Sequence, residues 1–190
     1  MSYSLRTPRT FSADEYLLIE RRAPGKSELI DGHMWAMAGA SENHMLISRN
    51  PSTTIHIQLR GSGCLSFAAE MKVLVKPGGM FTYPDLVIVC GERLYHDERK
   101  DVLLNPAALF VVLSPSTEGF DRNDKFLRYQ ELDTLMDYVL IAQSEPRIEH
   151  FVRQENGLWL PTLVHGKKAS ITLASAAVTL PLAEVYENVL

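Results

Sequence analysis

The sequence predicts a single α/β domain spanning residues 1–190. Two short, nearly all-apolar runs, "DLVIVC" at 85–90 and "ALFVVL" at 108–113, read as strands buried on both faces. Helical patterns precede and follow them. The length suits one substantial core, and no low-complexity tract, internal repeat or linker divides the chain.

The elements follow in order. In "TFSADEY", Ser12 stands three residues before Glu15 as a capping box, with Phe11 and Tyr16 as a hydrophobic staple. That helix should run to about Arg22 and stop before Pro24-Gly25. "ELIDGHMWAM" carries Asp31-Gly32 between apolar flanks, a hairpin signal. "GASENHMLISRN" opens a second helix with Ser41 as N-cap. Pro51 falls inside this pattern, and an interior proline costs a helix about 3 kcal/mol, so a kink or two helical pieces are expected.

"CLSFAAEMKVLV" is read as one strand closed by the turn "KPGG", and the two apolar strands follow. Helix returns at "DRNDKFLRYQELDTL", where Phe126, Leu127, Tyr129, Leu132 and Leu135 supply the apolar face. "DYVLIA", "RIEHFVR" and "LWLPTLV" form a meander, and a short helix around "LAEVYENV" must dock on its own sheet or on a partner. A symmetric homodimer fits general base rates.

Composition narrows the function classes. A hydrophobic share of 46% with 22% charged residues is that of a globular protein rather than a disordered one. No apolar run is long enough to span a bilayer, and "MSYSLRTPRTFS" lacks the apolar segment of a signal peptide, so the expected address is cytoplasmic with no membrane partner. The net charge of −4 argues against a broad, non-specific coat on DNA but leaves room for a local basic cleft. Cys64 and Cys90 belong to no CxxC pair and no zinc-ligand spacing. Cys90, at the end of an apolar strand, is expected to be a small core residue.

The chemistry-bearing residues gather around "YPD". Asp85 heads a buried strand, and a carboxylate at a sheet rim needs hydrogen bonds, a cation or an altered pKa. After "ALFVVLSPST" comes the helix carrying Lys125, with Asp121 and Arg122 at its start. Lys125 lies near the polar end of the preceding strand, where it could meet a phosphate or a hydrolytic water. Arg128 reads as a solvated helix residue. His44 is either a hydrogen-bonding or basic group near the cleft or a structural helix-start histidine. The hydroxyls of Ser114, Ser116 and Thr117 either touch phosphate or shape the turn after Pro115.

"SELIDG" at 27–32, "MAGASENH" at 37–44, "YPDLVIVC" at 83–90, "NPAALFVVLSPST" at 105–117, "DRNDKFLRY" at 121–129 and "DYVLIA" at 137–142 stand in a fixed order. That order resembles the "YELIDG", "MAGAS…H", "YPDVVVV", "NP…EVLSPST", "D…K…RY" and "EYVLV" of the Uma-type restriction endonucleases, in the PD-(D/E)XK nuclease superfamily. The resemblance covers almost the whole chain. It implies a restriction-endonuclease-like core of α/β (α+β) type, with a mixed central β-sheet flanked by helices. It also implies DNA as partner and phosphodiester hydrolysis aided by Mg²⁺ or Mn²⁺. Such a metal is held by carboxylates at neighbouring strand ends, with a lysine adding positive charge.

Carried over by position, Asp85 matches the first metal-binding aspartate and Lys125 the lysine. The second carboxylate should stand where this chain has Val111, and no acid occurs between Asn105 and Thr117. Glu28, which matches the acid of "YELIDG", and Glu70, in "AAEMKV", are the candidate substitutes, at the catalytic centre and on the metal respectively. Asp137 replaces the glutamate of "EYVLV". Two functions follow from these residues: a metal-dependent DNA endonuclease with a degenerate site, or an inactive nuclease-fold protein that binds DNA or protein.

Overall fold

The structure, a computed structural model, describes residues 9–75, 79–115 and 117–189. The elements are α1 (Ala13–Glu20), β1 (Ser27–Ile30), β2 (His33–Ala36), α2 (Glu42–Gln58), β3 (Cys64–Ala68), β4 (Lys72–Val75), β5 (Met80–Thr82), β6 (Leu86–Cys90), β7 (Val102–Leu103) and β8 (Ala108–Val112). There follow α3 (Glu118–Phe120), a π-helical turn (Asp121–Lys125), α4 (Phe126–Tyr129), β9 (Asp137–Ile141), β10 (Arg147–Arg153), β11 (Trp159–His165), β12 (Ser170–Thr172), β13 (Thr179–Pro181) and α5 (Leu182–Val185).

The central sheet has six strands in the order β11-β10-β9-β8-β6-β3, and it is mixed because β8 and β9 run parallel while their neighbours pair antiparallel. A second sheet, β2-β1-β5-β4-β7, lies beside it, also mixed through the parallel pair β4–β7. The mixed α/β class is as expected, with the strands shared between two large sheets and a small β12–β13 ribbon. Among the described residues, no helix is long and apolar enough to cross a membrane.

Strand alternation divides the core in two. Leu86, Ile88, Ala108, Phe110, Val112, Val139 and Ile141 face α2 and α5, packing with Ile47, Ile55 and Tyr186. Val87, Val89, Leu109, Val111, Tyr138 and Leu140 face the other way, against Phe126 and Tyr129. The C-terminal helix therefore docks on its own sheet, and Tyr186 anchors it by donating from its hydroxyl to the carbonyl of Ala142 at 2.7 Å.

The Ser12–Glu15 capping box is present. The hairpin turns through Asp31 and Gly32, both in the left-handed region at φ 51° and 76°, as a two-residue turn of this hand requires. Four expectations need correction. First, α2 is one helix from Glu42 to Gln58 through Pro51, not two pieces. Ile47, Pro51 and Ile55 recur every four residues and are all buried, so their packing offsets the hydrogen bond that proline cannot make.

Second, "CLSFAAEMKVLV" is not one strand. It breaks at Ala69, which has a φ of 29°, and sends β3 and β4 into different sheets. Third, Leu127 is 62% exposed: the inward side of this helical run is Asp121, Lys125, Phe126 and Tyr129, and Leu127 falls outside that stripe. Fourth, Cys90 is bonded to Cys64. They are directly opposed on the antiparallel pair β3–β6, with Cα atoms 4.0 Å apart. The expected "KPGG" turn lies mostly outside the described residues.

Candidate functional site

One end of the central sheet collects the polar residues. Because β6 runs antiparallel to β8, Asp85 at its head lies beside the last residues of β8, and its backbone N–H donates to the carbonyl of Phe110 at 3.0 Å. Because β9 runs parallel to β8, Gln143 emerges at the same end, and its side-chain amide donates to the carbonyl of Leu113 at 2.8 Å. The first turns of α2 cover this edge.

Asp85 is 16% exposed at its side chain and fully engaged. Oδ1 accepts from His44 Nε2 at 2.6 Å and from the Ser48 hydroxyl at 3.0 Å, and Oδ2 accepts from the N–H of Val112 at 2.8 Å. The hydrogen bond to Asp85 raises the His44 pKa above the ordinary histidine value, against the opposing effect of burial. Gln143 Nε2 faces His44 Nδ1 at 3.4 Å, and the Ser41 hydroxyl donates to Gln143 Oε1 at 2.8 Å. His44 is thereby held from both ring nitrogens.

A second cluster surrounds Lys125. Its amine lies 2.9 Å from both oxygens of Glu28 and 3.5 Å from Asp121, and it is 7% exposed. Burial works against its charge, but Tyr129, Glu28 and Asp121 outweigh burial and raise its pKa above the usual lysine range. The same groups hold Lys125 in its charged form. Burial pushes Asp121 up from the ordinary aspartate value. Lys125 ends the π-helical turn, and such turns inside α-helices recur at functional sites.

The clusters adjoin through the "YPD" segment, since Glu28 Oε1 also accepts from the N–H of Tyr83, two residues before Asp85. Val111 lies on the strand between Phe110 and Val112, which bond Asp85, but its side chain turns into the apolar layer with Phe126 and Tyr129, 6% exposed. A carboxylate at this position would sit on the Lys125 side of the sheet.

The structure thus brings Asp85, Glu28 and Lys125 to one region. It does not bring Glu70 there: that side chain is 81% exposed and ion-paired with Lys26. Arg122 is taken up by Glu149 and Glu118, and Arg128 by Asp31 on the hairpin tip. Ser114 and Thr117 hydroxyls bond each other at 2.8 Å across the turn, while Ser116 lies outside the described residues. Asp137 is at the opposite end of the sheet, buried and bonded to His150 at 2.7 Å.

Sequence reasoning passed over Ser48 and Gln143. Ser48 was findable, being one helical turn beyond His44 and so on the same side of α2. Gln143 was not, because its place follows from the parallel pairing of β8 and β9.

The donor set does not fit a divalent cation as it stands. Among the described residues, no three metal-ligating side chains converge. Asp85 spends both oxygens on protein donors, Glu28 is committed to Lys125 and Tyr83, and position 111 offers no lone pair.

The Uma2 family model, described as "Putative restriction endonuclease", matches residues 13–183. "Uncharacterized protein sll1609" of Synechocystis sp. is 33% identical over 165 residues, covering 87% of this chain and 93% of that protein. "Uncharacterized protein slr1290" of the same organism is 34% identical over 151 residues, covering 78% and 77%. A crystal structure from Anabaena variabilis, described as a "putative nuclease belonging to DUF820", superposes with a TM-score of 0.77 at 18% identity, covering 95% of this chain and 99% of that one. At that identity the likeness speaks for the fold.

Proposed function

We propose, for a chain that belongs to the Uma2 family, that it binds DNA at the Asp85–Lys125 end of the central sheet and that its phosphodiester hydrolysis is weak or absent. The observation that carries this reading is position 111. Where the family pattern calls for the second acid, this chain has a valine packed into the apolar layer. The remaining acid is already saturated by His44, Ser48 and the Val112 N–H.

What these residues can still do is bind. Lys125 is a buried cation, and a phosphate that displaced Glu28 would take over its place as counter-charge, where charge–charge attraction is stronger than in water. His44 and Ser48 keep Asp85 pointed at the sheet edge.

A second reading, an active endonuclease with Glu28 as the substitute acid, is favoured by the 2.9 Å contacts between Glu28 and Lys125. The deciding experiment incubates supercoiled plasmid with Mg²⁺ or Mn²⁺ and the natural protein, Val111→Glu, Asp85→Ala or Glu28→Gln, with binding followed by gel shift. The proposed function expects the natural protein to retard the plasmid without nicking it and Val111→Glu to nick. Nicking by the natural protein that both Asp85→Ala and Glu28→Gln abolish would install the second reading. Absence of any DNA retardation would overturn both.

A further inference from the structure

Trp35 is 61% accessible and is the one aromatic side chain among the exposed large apolar residues described. The other tryptophan, Trp159, packs edge-on to Phe126 at 5.3 Å, with the Arg153 guanidinium 5.6 Å from its ring. Trp35 has no such ring or cation partner among the described residues. A large aromatic surface left in water needs a reason, and its position supplies one.

On the β1–β2 hairpin, Trp35 stands directly opposite Glu28, the residue that holds Lys125. Cross-strand partners project from the same face, so the exposed ring lies on the face of the hairpin that carries Glu28. Met37, just beyond β2, is 42% exposed. Met45 is 56% exposed and follows His44, the partner of Asp85. The hairpin and α2 thus each carry a further exposed polarizable side chain.

Arg21, Arg122, Arg128 and Arg147 are each held by carboxylates. Arg49, exposed and one helical turn beyond Met45, donates to Asn50 Oδ1 at 3.1 Å and has no carboxylate partner among the described residues, and it follows Ser48, which donates to Asp85. A flat apolar ring across the hairpin from the partner of Lys125, and a guanidinium bonded to no carboxylate next to the partner of Asp85, are complementary to a strand with its bases free and its phosphates charged. A duplex hides its base faces; an unpaired nucleotide presents one.

We propose that Trp35 is a stacking platform for an unpaired base, so that the site takes single-stranded or locally opened DNA, with Arg49 meeting a phosphate. This rests on the DNA-binding reading above and adds the class of DNA.

The test titrates the whole protein, without divalent metal, with a fluorescein-labelled oligo(dT) and with a duplex of the same length. DNA anisotropy gives affinity for the natural protein, Trp35→Ala, Trp35→Phe and Arg49→Ala. Tryptophan emission is read in a Trp159→Phe background, where Trp35 is the only tryptophan. Oligo(dT) should quench Trp35 and duplex should not. Trp35→Ala should weaken oligo(dT) binding by about 5- to 150-fold, the range set by losing one base stack. Trp35→Phe should fall between, and Arg49→Ala should weaken both DNAs and flatten the salt dependence. Circular dichroism confirms that each variant is folded.

Oligo(dT) binding that leaves Trp35 unquenched, or equal affinity for Trp35→Ala, overturns the inference while leaving DNA binding intact. So does a Trp35→Ala variant that changes only the sedimentation of the free protein, which would assign the ring to a second copy or a protein partner. Binding of neither DNA by the natural protein removes the proposed function, and the inference falls with it.

Discussion

Glu28 and Lys125 stand 97 positions apart in sequence and form a doubly hydrogen-bonded ion pair, both oxygens 2.9 Å from the amine and both side chains nearly out of solvent. The pair joins the hairpin of the second sheet to the helix that covers the central one, so it is structural as well as electrostatic.

Removing one partner strands a buried charge. Glu28→Gln or Lys125→Met should each destabilise the fold by about 3–5 kcal/mol. The double variant should lose clearly less than the sum, because neither charge is then left alone. Urea unfolding of the four proteins checks this, and additive losses would mean that the two side chains do not interact.

Restoring the acid should restore a metal site at the expense of stability. Val111→Glu places a carboxylate in an apolar layer, so its Tm without metal should fall below that of the natural protein. Mg²⁺ should then raise the Tm of Val111→Glu, by the equivalent of about 2.7 kcal/mol at a hundred times its Kd. The natural protein should not respond. Thermal melts across a Mg²⁺ series decide, and an equal rise in both proteins would refute the idea that position 111 is the missing ligand.

Acid should loosen the contact between α1 and β4. Burial raises the Asp101 pKa, but the hydrogen bonds and charges of Arg21 and Lys72 outweigh it and hold it down at about 2, from 3.8. A depressed carboxylate contributes fully above its unfolded value and loses that contribution as pH falls through its folded one. The contribution is about 1–2 kcal/mol after solvent screening, and it should disappear between about pH 4 and pH 2. Asp101→Asn should be less stable at neutral pH, and the difference from the natural protein should shrink across that window.

The Cys64–Cys90 bond closes a loop with a sequence separation of 26. Opening it with a reductant, or replacing both residues by serine, should cost about 2–4 kcal/mol. Intact-mass measurement after alkylation, with and without reduction, establishes the bond, and denaturant unfolding of the same samples gives its worth. Reducing compartments keep most such pairs open, so the same alkylation on cell extract tests the cytoplasmic expectation.

Local chemistry made much of this protein legible in one dimension. Ser12 and Glu15 announce a helix start, Asp31-Gly32 a tight hairpin, and "DLVIVC" and "ALFVVL" buried strands. Each signal depends on neighbours within a few positions. The order of motifs pointed to Asp85, Lys125 and the gap at Val111, and the structure places Asp85 and Lys125 at one end of the sheet. The pairings were not legible. Glu28 and Glu70 look alike in sequence, yet one meets Lys125 and the other meets Lys26 in solvent, because the chain turns at Ala69 and sends β4 into the second sheet. Gln143 reaches His44 only because β8 and β9 run parallel, and Cys64 reaches Cys90 only through the β3–β6 register. The sequence alone determined where most elements form and which acids are present, since propensity and alternation act locally. Which charges meet was decided by long-range strand order, where hydrogen-bond register and the burial of two apolar faces leave each side chain one place to go.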